Sequence, residues 1–427
     1  MNILIVTNTF TPHVGGVARS VEAFTEAYRA LGHRVLVVAP EFPDMPEDEV
    51  DVLRVPAIQE FNASDFSVVL PMHPPLTEAL DAFGPEIVHS QHPFLLGSTA
   101  VRIARFRALP LVFTHHTLYE QYTHYVPGDS PALKRFTIEL ATCYANLCDQ
   151  VFAPSESIRE LLLKRGVKAP IEVVPTGVRL EDFARGEREG FRRAHDIPQD
   201  AFVVGHMGRL APEKNLEFLA SAVARFAEEK PEAHFLVVGE GPSQDTMRRI
   251  FRRAGLEARL HFAGVLQGQD LADALHAMDV FAFASKSETQ GMVLTEAMAA
   301  GLPVVALEAS GVREVVRDGR NGRLLSDETP AAMAAALQWV AQLSEASAGE
   351  LKQAALETAE AFSMPVSARK ALACYQALKT RKRAGQDAAQ GPWEDLMGAI
   401  KTEWALLKNV ARAGDAALSG DRDARTD

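Results

Sequence analysis

The chain has 427 residues, more than one ordinary domain holds, so two domains are expected. Its hydrophobic content of 47% and charged content of 23% are those of a globular protein, and the formal net charge of -12 argues against general nucleic-acid binding, which needs a basic surface. Three cysteines without metal-ligand spacing favour a reducing, cytoplasmic compartment. No basic segment precedes the first apolar run and no run of about 20 apolar residues occurs, so neither a signal peptide nor a membrane-spanning helix is expected.

Short β-rich runs alternate with helical patterns along most of the chain. The predicted strands are NILIVT, HRVLVVA, DVLRVP, EIVHS, PLVFTHH, QVFAPS and IEVVPTG in the first half, and AFVVGHMG, AHFLVVGEG, RLHFAGV, DVFAFAS and LPVVALEA in the second. Nearly continuous apolar runs between helices are typical of parallel strands covered on both faces. The sequence therefore predicts an α/β fold with two doubly wound, Rossmann-like domains facing across a cleft, where ligands bind at the carboxyl ends of the strands.

The predicted domain boundaries follow from this alternation. Residues 1–177 are predicted to form an N-terminal domain, and residues 178–364 a C-terminal domain. Residues 365–380 are predicted to form a helix that returns toward the first domain. Residues 381–427 are interpreted as a linker, an amphipathic helix and a disordered tail, because KTRKRAGQDAAQG is polar and DAALSGDRDARTD lacks an apolar pattern.

The segment PWEDLMGAIKTEWALLKNVARAG, over residues 392–413 and the following Gly414, has the pattern of an amphipathic helix. Its apolar side chains fall on one helical face: Trp393, Leu396, Met397, Ile400, Trp404, Leu407 and Val410. Two interpretations stay open. The helix packs on its own domain or on a second subunit, or it lies in a membrane interface, where tryptophan side chains suit the headgroup region.

Two glycines, Gly15 and Gly16, follow the first strand and precede a helix predicted to begin near Val17. Such a pair allows the backbone to approach a phosphate at a helix N-terminus, although it can also serve as a simple tight turn. The spacing is not that of a dinucleotide fingerprint. The later GEGP at residues 239–242 has half of such a motif and is interpreted as a turn.

In the second half, GHMGRLAPEKN places Arg209 and Lys214 in the loop after that half's first strand. Arginine offers a bidentate fork and lysine a point charge, so the two could hold a pyrophosphate. The alternative is a solvated surface pair. Their position at the carboxyl end of a strand favours the binding site.

The segment SKSETQGMVLTEAMAAGLPVV holds two glutamates, Glu288 and Glu296. Good helix formers over residues 293–300 predict a helix that Gly301 ends, so that Glu288 lies in the preceding loop. Both carboxylates can then face the space at the helix N-terminus, where free N–H groups favour an anion. A ligand with both phosphate and hydroxyl groups, such as a nucleotide-sugar, fits this arrangement.

Histidine and tyrosine are dense in FTHHTLYEQYTHYVP, which follows a predicted strand. Adjacent histidines rarely chelate one metal ion, so a binding surface for a sugar or an amphipathic acceptor is favoured over a metal site. The acceptor-side candidates are His115, Tyr119, Tyr122, His124 and Tyr125.

Together these stretches resemble the retaining family 4 glycosyltransferases of the GT-B fold. Four elements carry the resemblance in chain order: the Gly15-Gly16 turn, His116-Thr117, GRLxxEKN at residues 208–215, and the Glu288/Glu296 pair. The resemblance covers about Met1 to Lys379. It implies that residues 1–177 form the acceptor-side domain and that residues 178–364 bind the nucleotide-sugar. The longer strings HHTLYEQYTHY and SETQGMVLTEAMAAG are similar to the subgroup that glucosylates diacylglycerol in bacterial membranes.

The resemblance implies roles for the donor-binding residues. Arg209 and Lys214 would bind the diphosphate and stabilise the charge that develops as it leaves. Glu296 would accept hydrogen bonds from the ribose hydroxyls. Glu288 would lie at the sugar ring and face positive charge at the anomeric carbon.

Further contacts are implied by the same resemblance. His116 would contact the donor sugar, although its spacing leaves open whether His115 faces the ligand instead, and Gly16 would lie against the β-phosphate. Backbone groups would complete the site, with N–H groups from Gly291, Met292 and Val293 meeting phosphate or sugar oxygens, and with Val265 and Leu266 receiving the base.

The implied reaction retains the anomeric configuration by a front-face mechanism, in which the leaving phosphate takes the acceptor's proton. A double displacement would instead need a carboxylate nucleophile, for which Glu288 is the candidate. Neither a metal nor another cofactor is expected. The expected function is transfer of a hexose, glucose from UDP-glucose, onto a lipid such as diacylglycerol, by a cytoplasmic enzyme with peripheral contact to the inner face of the membrane. The alternatives are GDP-mannose or another UDP-sugar with a soluble or polysaccharide acceptor, and a sugar-nucleotide epimerase.

Overall fold

The computed structural model describes residues 1–13, 15–46, 48–58, 68–69, 74–121, 130–286, 288–385 and 392–418. In chain order the strands are β1 (Asn2–Val6), β2 (Arg34–Pro40), β3 (Val52–Val55), β4 (Ala57–Ile58), β5 (Val68–Val69), β6 (Ile87–Ser90), β7 (Leu111–Thr114), β8 (Gln150–Ala153), β9 (Ile171–Val173), β10 (Phe202–Met207), β11 (Ala233–Val238), β12 (Leu260–Gly264), β13 (Val280–Phe283), β14 (Val304–Leu307) and β15 (Gly322–Leu325). The α-helices are α1 (Gly16–Ala30), α2 (Pro74–Phe83), α3 (Leu96–Phe106), α4 (Pro131–Ala145), α5 (Glu156–Lys164), α6 (Arg188–Ala194), α7 (Leu216–Glu229), α8 (Gln244–Arg253), α9 (Gly268–His276), α10 (Met292–Ala299), α11 (Pro330–Ala341), α12 (Glu345–Ala361), α13 (Met364–Gly385) and α14 (Pro392–Leu418).

The chain divides into two compact units. The first contains Met1–Thr176 and Ser367–Asp427, and the second contains Gly177–Val366. The first unit has a seven-stranded parallel sheet in the order β3-β2-β1-β6-β7-β8-β9. The second has a six-stranded parallel sheet in the order β12-β11-β10-β13-β14-β15. Two doubly wound, Rossmann-like sheets are therefore confirmed.

Both faces of the second sheet are buried, which explains why its strands are apolar without alternation. Leu236 and Phe281 pack into one hydrophobic cluster, whereas Phe235 and Val280 pack into another. Neighbouring residues of a strand point to opposite faces, so the two clusters lie on the two sides of the sheet. The first sheet has a comparable core, with Leu4, Val38, Val88 and Phe113 among its fully buried members.

All twelve strands predicted from the sequence are present, and three short ones were missed. The missed strands are the antiparallel pair β4 and β5, of two residues each, and the edge strand β15. The strand β15 has only four residues, and one of them is the charged Arg323, so the sequence gives no strand pattern there. Its pairing with β14 makes it a strand.

The interpretation of the segment after residue 380 as linker needs correction. The helix α13 continues to Gly385, because Lys, Arg and Ala are good helix formers even where no apolar face exists. Residues 415–418, which were expected to belong to a disordered tail, are part of α14 instead. Arg135 donates hydrogen bonds to the carbonyl oxygens of Ala416 and Ala417 and so satisfies the end of this helix. Within the described residues, no helix combines the length and apolarity that crossing a bilayer requires.

A buried hydrogen-bond chain ties α13 to the first sheet. The Tyr375 hydroxyl lies 2.6 Å from Nδ1 of His89 and 3.1 Å from the Tyr28 hydroxyl, and Nε2 of His89 lies 2.7 Å from Oγ1 of Thr114. These polar groups are buried and partnered, as stability in a low-dielectric core requires. The contact places α13 against α1, β6 and β7.

Candidate active site

In each sheet the strand order reverses at a central strand. β1 lies between β2 and β6, and β10 lies between β11 and β13. Doubly wound sheets bind ligands at the carboxyl ends of the strands at such a switch point. The candidate residues follow these strands, with Gly15 and Gly16 after β1, Arg209 and Lys214 after β10, and Glu288 after β13.

The loop after β10 presents the two candidate cations differently. Arg209 is half-exposed, and its Nη2 donates to Oε1 of Glu213 at 2.6 Å. Lys214 ends a short 3-10 helix, Pro212–Lys214, and Asn215 then turns into α7 with a left-handed φ of 56°. The Arg209 guanidinium is therefore accessible to a ligand, whereas the Lys214 side chain is largely buried.

The GEGP turn supports the loop after β10. A Cβ atom at Gly239 would lie 2.0 Å from the carbonyl oxygen of Gly208, and one at Gly241 would lie 2.5 Å from that of Leu210. The backbone of Leu210 also donates to the carbonyl of Glu240 at 2.8 Å. Glycine is required at both positions because any side chain would displace the arginine-bearing loop.

Lys214 and Glu288, two candidate catalytic residues 74 positions apart, are in direct contact. Lys214 Nζ donates to Oε1 of Glu288 at 2.6 Å, and both side chains are largely buried. An ammonium group has three donors, so Lys214 can keep this contact and still face an anion. The pair places a carboxylate and a cation side by side at the carboxyl edge of β10 and β13.

The helix α10 begins where a ligand anion would be stabilised. Gly291 precedes it with a left-handed φ of 73°, a conformation that favours glycine. The N–H groups of the first turn, at Met292 and Val293, have no carbonyl within the helix to bind. Glu288 lies outside the helix and Glu296 lies within it, largely buried.

Two polar side chains at this edge were not identified from the sequence. His206, the fifth residue of β10, uses Nδ1 to contact the carbonyl oxygen of Ala282 at 3.1 Å, so Nδ1 carries the proton and Nε2 the lone pair. Nε2 and the Ser285 hydroxyl are buried and find no hydrogen-bond partner among the described residues. Burial lowers the pKa of His206 to about 4, with a further lowering from Lys214. In the sequence, the feature that could have identified His206 and Ser285 was their position at the ends of predicted strands.

The segment predicted to receive the base follows β12. Val265 is exposed, and Leu266 is partly buried against the core of the second unit. The segment leaves the sheet at the same carboxyl edge as the Arg209 loop, because β12 and β10 are parallel to β11.

In the first unit, Gly15 and Gly16 start α1. Gly15 is extended, with a φ of -167°, so its backbone does not require glycine. A Cβ atom at Gly16 would meet nothing within 4 Å among the described residues. The helix N-terminus therefore opens onto free space, as a phosphate contact needs. Val14 lies outside the described residues.

The structure distinguishes the two adjacent histidines after β7. His115 is 1% exposed and packs edge-on against Phe113 and Tyr119. His116 is only partly buried. Of the two rings, that of His116 is the one which a ligand can reach.

Gln91 holds the His116 ring and was not identified from the sequence. Its Oε1 lies 2.7 Å from Nε2 of His116, and since an amide oxygen only accepts, Nε2 carries the proton. Gln91 and the buried His92 follow β6, the strand next to β7 in the sheet. His92 accepts a hydrogen bond from the backbone N–H of Asn8 at 3.1 Å. In the sequence, the feature that could have identified Gln91 was the polar run SQH at the end of a predicted strand.

The aromatic loop that the sequence analysis assigned to the acceptor is described in part. Tyr119 lies in a short 3-10 helix, Tyr119–Gln121, and packs edge-on against Phe94 and His115. Tyr122, His124 and Tyr125 lie outside the described residues. Among the residues that are described, no three His, Cys, Asp or Glu side chains are grouped as a metal site would need.

Burial lowers the pKa of four histidines of the first unit well below the usual value near 6.5. Desolvation lowers the pKa of His89, His92 and His115 to about 3 and that of His116 to about 4, and the first three are lowered further by neighbouring positive charge. Between the folded pKa and the unfolded value near 6.5, only the unfolded chain binds the proton. The free energy of unfolding is therefore expected to fall as the pH drops from about 6.5 toward 4.

Replacing His115 with Phe tests this pH dependence. The ring packing against Phe113 and Tyr119 is kept, but one protonation of the unfolded state is lost. The decrease in the free energy of unfolding between pH 7 and pH 5 should be smaller by about 2 kcal/mol in the variant. Urea unfolding followed by circular dichroism at both pH values measures it. An equal decrease in both proteins would contradict a neutral, buried His115.

Both halves of the chain match models of known families. Residues 14–182 match Glycosyltransferase Family 4, and residues 187–358 match Glycosyl transferases group 1. The candidate residues of both units fall within these two ranges, whereas α14 lies beyond them.

Curated relatives of this chain include enzymes with different names. An alpha-monoglucosyldiacylglycerol synthase of Streptococcus pneumoniae is 28% identical over 334 residues, which cover 77% of this chain and 76% of the relative. A GDP-mannose-dependent alpha-mannosyltransferase of Mycobacterium tuberculosis is 32% identical over 336 residues, covering 76% and 84%.

Solved structures show the same architecture. The structure of the Anabaena protein HepE in complex with UDP superimposes with a TM-score of 0.70 at 22% identity, covering 88% of this chain and all of the other (100%). At this identity the likeness concerns the fold. With matches across both sheets, and with a relative above 30% identity, the chain belongs to glycosyltransferase family 4 and has the GT-B fold.

Proposed function

We propose that this glycosyltransferase moves glucose from UDP-glucose onto a membrane lipid such as diacylglycerol, with retention of the anomeric configuration and without a metal cofactor. The observation that carries the donor half is the contact between Lys214 and Glu288 beside the N-terminus of α10. This contact places Lys214, a cation that can bind a diphosphate, beside Glu288, a carboxylate that can bind the sugar. The lipid half is supported by the similarity to the alpha-monoglucosyldiacylglycerol synthases.

Each candidate residue has a proposed role in donor binding. Arg209 and Lys214 hold the diphosphate, and the half-exposed Arg209 can exchange Glu213 for a phosphate. The first-turn N–H groups of α10 bind phosphate or sugar oxygens, and Glu296 accepts from the ribose. His116, oriented by Gln91, contacts the sugar.

In the proposed front-face reaction, the bond from the anomeric carbon to the phosphate oxygen breaks while the acceptor oxygen bonds to the same face. The departing phosphate oxygen takes the acceptor's proton. Arg209 and Lys214 stabilise the remaining negative charge of the diphosphate as it leaves. Glu288 faces the positive charge that develops on the sugar. Its contact with Lys214 keeps the carboxylate oriented before the donor binds.

A transfer assay with product detection by mass spectrometry tests this proposal. Purified protein is incubated with UDP-glucose, UDP-galactose or GDP-mannose, vesicles containing diacylglycerol, and EDTA. A glucosylated lipid formed from UDP-glucose in EDTA is the expected result, and retention is then read from the anomeric proton coupling of the product. Transfer to soluble sugars alone would contradict the lipid acceptor, and loss of activity in EDTA would contradict metal independence.

A second candidate donor is GDP-mannose, which the 32% identical mannosyltransferase of Mycobacterium tuberculosis favours. The same assay decides, because a mannosylated product from GDP-mannose would replace glucose transfer as the function. An epimerase would convert a UDP-sugar when no acceptor is present, and the acceptor-free arm of the assay reports that.

A further inference from the structure

The helix α14 packs on α3 and α4 of the first unit through a face that includes Leu406. Thr402 and Ala413 are buried, whereas Trp404, Leu407 and Val410 are 68%, 63% and 53% exposed. Amphipathic helices of globular proteins normally turn the apolar stripe to the core. Here Leu406 packs against the core of the first unit, but Trp404, Leu407 and Val410 keep more than half of their surface exposed.

Polar contacts on both sides fix this orientation. Arg102 of α3 binds Glu403 in bidentate fashion, with Nε to Oε1 at 2.6 Å and Nη2 to Oε2 at 3.0 Å. Arg135 of α4 donates to the last carbonyls of α14, at 3.1 Å and 3.0 Å. Rolling the helix to bury Trp404 would break both sets of bonds, so the outward stripe belongs to the folded state.

A row of cations borders the stripe. Lys401, Lys408 and Arg412 are all exposed, and spacings of seven and four residues place them on one side of the helix. The exposed Asp415, three residues after Arg412, lies on the same side, so the described residues of this side carry three cations and one carboxylate. On the opposite edge, Glu403 is neutralised by Arg102. The helices α3, α4 and α14 together carry seven basic and five acidic residues, a net charge of +2, against -12 for the whole chain.

The apolar surface continues onto α3. Phe106 is exposed and lies one helical turn after Arg102, on the same side of α3. The exposed Arg105 is its neighbour in the chain. Aromatic and aliphatic side chains beside basic ones are therefore found on two neighbouring helices.

We propose that this surface, the α14 face, formed by Trp404, Leu407 and Val410 with Lys401, Lys408 and Arg412, docks onto an anionic lipid bilayer. Apolar side chains would enter the headgroup boundary, and the cations would bind lipid phosphates. The inference rests on the proposed function in that a lipid acceptor requires the enzyme to reach a membrane. It names a surface that lies outside both matched family ranges.

A second copy of the chain fits this face less well than a bilayer. If two such helices paired antiparallel about a two-fold axis, their apolar stripes would meet, but the cation rows would lie on the same side and repel each other. An anionic bilayer satisfies the stripe and the cations at once.

Vesicle sedimentation with the full chain tests the proposal. We expect binding to vesicles of phosphatidylglycerol and phosphatidylcholine, and at least tenfold weaker binding to phosphatidylcholine alone. The variant W404E/L407E should lose at least tenfold in affinity for the anionic vesicles, and K401E/K408E should lose at least tenfold as well, with a weaker dependence on salt. The control Leu163→Glu places a charge on a half-exposed leucine of α5 and should bind as the wild type does.

Two results would overturn the proposal. One is wild-type binding by W404E/L407E. The other is a concentration-dependent dimer, seen by light scattering, that this variant dissociates while no form of the protein binds vesicles. The docking proposal and the proposed function can fail separately, and hydrolysis of UDP-glucose without acceptor shows in each case that the enzyme is active.

Vesicle binding without any lipid product would contradict the lipid acceptor and leave the docking proposal intact. Lipid product from a W404E/L407E protein that binds vesicles as the wild type does would contradict the docking proposal and leave the lipid acceptor intact.

Discussion

Replacing Glu288 with Gln is expected to lower kcat by about 10²- to 10³-fold, the usual effect of removing one preorganised electrostatic group from an active site. Glutamine has the same shape and its amide oxygen can still accept from Lys214, so the 2.6 Å contact and the fold should persist. What is lost is the negative charge that faces the anomeric carbon. Initial rates at saturating UDP-glucose, together with a circular dichroism spectrum and a melting temperature, measure the effect.

The chain offers a matched control for this substitution. Lys230 and Glu232 form another close lysine–glutamate pair, at 2.5 Å, but before β11, at the opposite edge of the same sheet. Glu232→Gln makes the same chemical change away from the switch point and should leave kcat within about twofold of the wild type. Unchanged turnover in Glu288→Gln would remove Glu288 from the mechanism, and equal losses in both variants would point to a general effect on stability.

Replacing Arg192 with Met should lower the free energy of unfolding of the second unit by about 3–5 kcal/mol, the range for breaking a buried charge pair. Arg192 is 0% exposed. It donates to the carbonyl oxygens of Ala277, Gln199 and Ala201 at 2.8–3.0 Å, and to Oδ2 of Asp279 at 3.0 Å. Methionine fills a similar volume but leaves the three carbonyl oxygens without the Arg192 donor, while Asp279 keeps its contacts with Arg188 and the Val203 N–H.

The neighbouring residue supplies the control. Arg193 is exposed, and its contact with Glu189 is a long one of 3.6 Å. An exposed pair of this kind contributes about 0–1 kcal/mol, so Arg193→Met should change stability little. Urea unfolding of both variants at pH 7 makes the comparison. A loss below about 1 kcal/mol in Arg192→Met would show that the buried guanidinium does not organise the junction of α6 with β10 and β13.

The residues around the switch points show how far sequence reasoning reached. Glu288 and Glu296 were placed in a loop and a helix, and α10 indeed runs from Met292 to Ala299, because glycine on both sides marks its ends. Gln91 and His206 were missed, since a single polar residue at a strand end resembles many others. Their significance comes from the rings and carbonyls beside them, His116 and Ala282.

The amphipathic helix α14 shows what a sequence pattern does not predict. Its pattern correctly predicted a helix, but it left open whether the apolar stripe packs on the protein or lies in a membrane interface. Arg102, 301 residues earlier in the chain, binds Glu403 and turns Trp404 outward. A helical period specifies which residues share a face, but not which face a distant side chain will hold.

The two parallel sheets and the candidate residues Arg209, Lys214 and Glu288 could be predicted from local patterns, because apolar runs, helix ends and motif spacing are local properties of the chain. The tertiary structure alone decided which histidine is accessible, that Lys214 binds Glu288, and which way α14 faces. Each of these depends on contacts between segments far apart in sequence, where burial and geometry, rather than spacing, select the partner.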